Sequence, residues 1–388
     1  MKSIRILAVS LCALAFVSAP VHAEDVPGVT KDTIKIGVIG PMTGAAAIFG
    51  KSVFGVEALF KEVNEQGGIH GRKIEVVRED DACDPARGIS AMKKEISQDQ
   101  VFAVNGIACT GVALAVKPEV AKTDMPLMIM SAAGEPVATP AVANIFQAVP
   151  TTGVVARSMI DFAMTRPDTS KIAFVSHSDD WGKSNREPAV ARLKEKYHLD
   201  PVLNLTMERG SNDATPQILQ IRNSGAQFVV LMMYPAEVAI FVRDAYKYGL
   251  QIPMLAPMSI SLEDTRDRVG GQAAVQNLYV FYPYIGPFGS PEMQHWTDLI
   301  KKYYPNERIE NFSFLGMGST ITLIDALKKA GPDLTRQKVI DTLNNTKNYD
   351  TGILSAPVTF AADDHAGVKG GAMATFRDNK VVVLKSWQ

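Results

Sequence analysis

The segment from Val101 to Gly134 holds the residues best placed to do chemistry. Val101-Phe-Ala-Val-Asn-Gly-Ile107 reads as a strand and Ala108-Cys109-Thr110-Gly111 as a loop. A helix then returns through a second strand, Leu127-Met-Ile-Met130, to Ser131-Ala132-Ala133-Gly134. A helix entered through Cys-Thr-Gly presents its first backbone amides to whatever lies beyond the strand, and such a terminus binds anions. The Thr110 hydroxyl either adds a donor there or caps the helix in an ordinary strand-to-helix turn. Strands that both end in small residues let the backbone approach a ligand closely. The chemistry on offer is recognition of negative charge.

Other constellations fall away. Gly44 to Ser52 resembles a phosphate-cradling loop between strand and helix, but five residues separate Gly44 from Gly50 where four are needed. Gly182-Lys183-Ser184 has no upstream glycine at that spacing. His70, His177, His198, His295 and His365 each lack a second His or Cys at metal-ligand spacing and read as surface or turn residues. No Gly-x-Ser-x-Gly elbow occurs. Asp80-Asp81 and Asp363-Asp364 read as capping or solvated pairs rather than an acid and a base. These residues argue against an enzyme and leave no catalytic residue, metal or cofactor to expect.

A length of 388 residues allows two or three domains. With 46% hydrophobic and 21% charged residues the composition is that of a soluble globular protein. A net charge of −1, with no basic run interleaved with aromatics, argues against a nucleic-acid partner. Lys2 and Arg5, the apolar run Ile6 to Val17 and the small residues of Val21-His22-Ala23 read as a secretory signal peptide over 1–23. That run is too short to span a bilayer, and no other approaches the length. Cleavage removes Lys2 and Arg5, shifts the charge to −3, and yields a chain expected in the periplasm with no membrane span. Cys12 leaves with the peptide, so Cys83 and Cys109 remain as an even pair in an oxidising compartment. They are either bridged, closing a loop worth about 3.5 kcal/mol, or buried as free thiols.

Strand and helix alternate around the central segment. Thr33–Ile39 and Lys73–Val77 read as strands, with helices from Ser52 and from Pro85 (capped by Asp84) between and after them. Gln147-Ala-Val-Pro-Thr-Thr-Gly153 reads as a crossing point, after which the alternation begins afresh at Lys171–Ser176 and runs past Phe228–Met233. The final third returns late helices and strands, among them Leu278–Tyr284, Pro357–Phe360 and a hairpin turning at Asp378-Asn379. The fold class is therefore α/β, with two doubly wound lobes and a chain that revisits both.

Four pieces, in this order and spacing, resemble one family. They are Asn64-Glu-Gln-Gly-Gly-Ile-His-Gly-Arg-Lys-Ile74, Asp80-Asp-Ala-Cys-Asp-Pro85, the Cys109-Thr110 helix start and Ser131-Ala-Ala-Gly134. The chain is similar to the leucine/isoleucine/valine-binding periplasmic proteins, the solute receptors of branched-chain amino-acid-type ABC importers. That resemblance implies two lobes joined by three crossover segments, near Pro150, Val280 and Ala356. Lobe 1 would comprise 24–150 and 282–355, and lobe 2 would comprise 151–281 and 356–388. It implies a Cys83–Cys109 disulfide, a small-molecule carboxylate as ligand, and a membrane permease as partner. Thr110, the amide of Gly134 and the backbone of Ala132 would hold the carboxylate; Phe49, Trp181 and Tyr234 would face the ligand body. Gly134 and Met258 stand where amino-acid-binding members carry a threonine and a glutamate that fix the ligand ammonium. Neither can accept a hydrogen bond of that strength, and an unpaired buried ammonium costs several kcal/mol. The expected ligand is thus an apolar or aromatic acid lacking an α-amine, with Met258 against its body. A true branched-chain amino-acid binder and the ligand-sensing partner of a signalling receptor are the alternatives.

Overall fold

The structure, a computed structural model, describes residues 26–44 and 46–387. The signal-peptide reading over 1–23 lies outside those residues. Two sheets organise the chain. The first is built from β1 (Thr33–Gly40), β2 (Lys73–Asp80), β3 (Ala103–Gly106), β4 (Leu127–Ile129), β5 (Ile145–Pro150) and β11 (Ala366–Val368), in the order β11-β5-β4-β3-β1-β2. The second contains β6 (Ile172–Ser176), β7 (Leu203–Thr206), β8 (Phe228–Met232), β9 (Met254–Ala256), β10 (Leu278–Tyr282), β12 (Gly371–Arg377) and β13 (Lys380–Trp387), ordered β13-β12-β10-β9-β8-β6-β7. All pairs are parallel except those made by β12, which closes the second sheet with an antiparallel hairpin turning at Asp378 and Asn379, both at positive φ. Buried runs such as Phe228-Val-Val-Leu-Met232 show why: a strand covered on both faces is apolar throughout.

Helices cover the sheets. In lobe 1, α1 (Lys51–Glu65), α2 (Pro85–Ser97), α3 (Thr110–Val120) and the short α4 (Glu135–Ala138) connect successive strands. In lobe 2 the connections are α5 (Thr152–Ala163), α6 (Asp180–Tyr197), α7 (Thr215–Ser224), α8 (Pro235–Lys247), α9 (Leu262–Val269) and α10 (Gln272–Val275). The chain then returns, and α11 (Pro291–Tyr303), α12 (Asn311–Leu315) and α13 (Met317–Lys329) pack on α1, with α14 (Arg336–Asn344) against α13.

Three segments cross between lobes: Pro150-Thr151, the stretch after Tyr282, and Lys369-Gly370. Two expectations are corrected here. Gln147-Ala-Val-Pro150 is the end of strand β5, and Thr151 caps α5 by accepting the Val154 amide at 3.2 Å. The third crossing lies at Lys369-Gly370 rather than Ala356, so 356–368 belongs with lobe 1. His365 fastens that return segment: it is fully buried, stacks on Phe146 at 4.2 Å, and its Nδ1 lies 2.8 Å from the Ile145 carbonyl and 2.9 Å from that of Val142. The Gln147 amide donates to the His365 carbonyl, drawing β11 onto β5. Pro357–Phe360, expected as a strand, contributes only isolated bridges through Val358.

Candidate functional site

Each sheet reverses its strand order beside its first strand. β1 has β2 on one side and β3 on the other; β6 likewise separates β7 from β8. In a doubly wound sheet, ligands bind outside the carboxyl ends of the strands at that reversal. Those ends lead to Phe49 after β1, Thr110 after β3, Trp181 after β6 and Tyr234 after β8. All four line one cavity of about 1060 Å³ between the lobes, together with Met258 and Ser259.

On the lobe 1 side, Cys109 is the N-cap of α3 in extended conformation, and no side chain caps the helix. The first amide to bond back is that of Ala113, to the Cys109 carbonyl at 3.0 Å. The amides of Thr110, Gly111 and Val112 precede it and have no helical acceptor. Thr110 Oγ1 accepts the Gly134 amide at 3.1 Å, so the hydroxyl's own proton remains to be donated. The Gly134 amide, expected from the sequence to hold the carboxylate, is bonded to Thr110 in this structure. A Cβ at Gly134 would meet Thr110 Cγ2 at 2.3 Å, which explains the glycine. Ala132 is also buried away from the cavity, its carbonyl accepting from Gln147 Nε2 at 2.8 Å; Ser131 and Ala133 line the wall in its place.

Cys83 and Cys109 form a disulfide, Cα to Cα 5.6 Å, and both line the cavity. The bond ties the cap of α3 to the turn after β2. Burial works against the charge of Asp80 in that turn, yet the Thr43 hydroxyl at 2.5 Å and the Ala82 and Met42 amides hold it down at about 2. Asp81 is the opposite case. It is fully buried, Oδ1 accepts the Cys83 amide at 2.8 Å, Oδ2 has no partner, and burial pushes its carboxyl up to about 6.

The lobe 2 wall is aromatic. Trp181 and Tyr234 stack with centroids 4.6 Å apart and planes 24° from parallel. Phe49 reaches across from lobe 1 to 6.0 Å from Tyr234 and packs edge-on against Phe312 at 4.8 Å. His177, expected at the surface or in a turn, is fully buried beneath these rings. Its Nδ1 lies 2.7 Å from the Met207 carbonyl, which fixes the proton there, and Nε2 accepts the Tyr234 amide at 3.0 Å. His177 thus clamps Tyr234, the N-cap of α8. Burial raises the Tyr234 phenol to about 12, against the pull of Arg209, whose guanidinium lies 4.3 Å over its ring.

Two of the carboxylates lining the cavity are paired with arginines, while Glu187 on α6 lines it with no ion-pair partner among the described residues. Glu135 accepts from Arg157 at 2.9 Å. Asp179 caps α6 by accepting the Gly182 amide at 2.8 Å, and it pairs with Arg209 at 2.6 Å. Met258 is buried and its carbonyl accepts from Asn311 Nδ2, a bond that joins the lobes. Ser259 Oγ, beside it, has no protein partner. The sequence reading omitted Ser259, Phe312 and both arginine pairs. Glu135 directly follows Gly134, and Asp179 stands two residues before Trp181, so both carboxylates were within reach; Phe312 arrives from a late helix with no local signal. Among the described residues no cluster of three His, Cys, Asp or Glu is arranged to hold a metal, and no helix is long and apolar enough to cross a membrane.

Residues 33–380 match a family model described as periplasmic binding protein. The Leu/Ile/Val-binding protein homolog 3 of Brucella melitensis is 28% identical over 233 residues, 59% of this chain and 62% of that relative. A fatty acid ABC transporter substrate-binding protein from Thermomonospora curvata superimposes with a TM-score of 0.78 at 22% identity, covering 94% of each chain. An ABC transporter solute-binding protein from R. palustris, in complex with 4-hydroxybenzoate, gives a TM-score of 0.76 at 19% identity, covering 92% of this chain and 97% of that one.

Proposed function

The chain belongs to the periplasmic binding protein family, and we propose that it is the solute receptor of an ABC importer of the branched-chain amino-acid type. It captures a small carboxylate between its lobes in the periplasm and presents it to a membrane permease. The ligand carboxylate sits at the tip of α3, taking hydrogen bonds from the Thr110 hydroxyl and the unpartnered first-turn amides. Its body packs among Phe49, Trp181, Tyr234 and Met258. Closure excludes water and strengthens those charge-assisted bonds, and the permease reads the closed form.

One observation carries the choice of ligand: of the carboxylates lining the cavity, Glu135 and Asp179 are each engaged by an arginine and Glu187 stands beyond Trp181 along α6, away from the strand ends, while Met258 and Gly134 offer no anionic side chain. An α-ammonium placed there lacks a counter-charge and costs several kcal/mol. The favoured ligand is therefore an apolar or aromatic acid without an α-amine. The R. palustris neighbour, on the same fold, holds an acid of this kind. A branched-chain amino acid is the second reading, favoured by the Leu/Ile/Val-binding relatives. Titration calorimetry with leucine, valine, benzoate, a phenylpropenoate and a branched keto acid separates the two. Binding of one or more acids with weak or no response to leucine and valine is expected. Submicromolar leucine affinity without response to the acids overturns the proposal.

A further inference from the structure

The cavity is longer than a compact acid needs. At about 1060 Å³ it stands at the top of the roughly 300–1,000 Å³ range of pockets that enclose drug-sized ligands. Its lobe 2 wall does not end at the stacked rings. Trp181, Ser184, Pro188 and Ala191 all line it, and their spacing of three, four and three residues places them on one face of α6. At 1.5 Å per residue that face runs for about 15 Å. Across from it stand Leu114, one turn into α3 on the side of Thr110, and Pro136 at the start of α4. Leu114 is 40% exposed, one of few large apolar side chains so exposed among the described residues. Carbon from Leu114, Pro136, Pro188 and Ala191 lines this arm, with Lys183 and Glu187 beside it on α6, and Pro188 and Ala191 stand about 10–15 Å along the helix from Trp181, against which a compact acid packs.

Resting on the carboxylate reading above, we infer that the ligand is an elongated acid whose apolar tail extends along this arm of the cavity, between Leu114 and Pro136 on one side and Pro188 and Ala191 on the other. Each methylene buried there strengthens binding by about fourfold. The test is calorimetry with benzoate, 3-phenylpropanoate and 5-phenylpentanoate on the parent chain and on Leu114→Asn and Ala191→Gln. These substitutions put an uncharged polar group on exposed or half-exposed helix faces and leave the core untouched. Affinity is expected to rise at least tenfold from benzoate to 5-phenylpentanoate in the parent, and the gain is expected to vanish in both variants while benzoate binding stays within about twofold. Benzoate binding with no gain on lengthening, or a gain that survives both substitutions, overturns the elongated ligand and leaves the carboxylate reading intact. Failure of all three acids to bind overturns that reading and this inference together.

Discussion

In the proposed site Thr110 carries the anion pole, with two jobs for its hydroxyl. It accepts the Gly134 amide at 3.1 Å and keeps a proton for the ligand. Thr110→Val removes both, and ligand affinity is expected to fall about 10- to 50-fold, as for one hydrogen bond to a charged group; Thr110→Ser should stay within about threefold. Equal losses from the two substitutions in calorimetry would contradict the role of the hydroxyl. Asp81 makes a separate prediction in pH. Its folded-state value of about 6 lies above the ordinary carboxylate value of about 3.9, so the native state binds the proton more tightly than the unfolded chain. Stability from this group is present at low pH and lost as pH rises through about 6. Asp81→Asn keeps an oxygen for the Cys83 amide and removes the buried charge. In denaturant unfolding at pH 8 it should be more stable than the parent by about 1–3 kcal/mol, and near parity at pH 4. A difference that does not change with pH would contradict this. The type of residue at 110 was legible from Cys-Thr-Gly alone. The partner of the Gly134 amide was not, because a contact between two loops 24 residues apart leaves no local pattern.

At the scale of elements, the site is two strand-order reversals facing each other, and the parts that make them are local. β1, β3, β6 and β8 are short apolar runs ended by turn residues, so these strands and the loops to Phe49, Thr110, Trp181 and Tyr234 could be read from the chain, whereas the strand order that makes the reversals is set by pairing between distant segments. The Cys83–Cys109 bond then holds the start of α3 against the turn after β2. Replacing both cysteines by serine is expected to cost about 3.5 kcal/mol for a loop of this length. It should also weaken ligand binding, because the first turn of α3 loses its anchor. Unchanged affinity with reduced stability would show that the bond serves the fold alone. What escaped reading was set by tertiary contacts. β11 has three residues, too few for a periodic pattern, and it exists because buried His365 holds 356–368 on lobe 1. Gln147 to Pro150 ends in proline, which signals a boundary, yet Pro150 is the last residue of a buried strand and needs no ladder donor there.

At the scale of the molecule, two lobes on three crossovers meet across the cavity. Phe49 faces Tyr234, Asn311 donates to the Met258 carbonyl, and Arg308 lies 3.6 Å from Asp264. These contacts join the lobes across the cavity, as the proposed capture of a ligand between them requires. Asn311→Ala removes one of them at a distance from the anion pole. It is expected to weaken binding about three- to tenfold by lowering the population of the closed form, with unfolding transitions little changed; an affinity equal to the parent's would contradict the coupling. The two-lobe architecture was legible because the alternation of strand and helix starts twice. How closely the lobes approach was not, since Asn311 and Met258 are 53 residues apart and belong to different lobes.

The central claim is that a negatively charged group is held at the start of α3 between the two lobes. A crystal structure of the protein grown with benzoate or with its co-purified ligand tests it most directly. The account predicts carboxylate oxygens about 3 Å from Thr110 Oγ1 and from the first amides of α3, with the ligand body against Trp181 and Tyr234. A bound ligand elsewhere, with that helix terminus covered by the protein's own side chains, would contradict it.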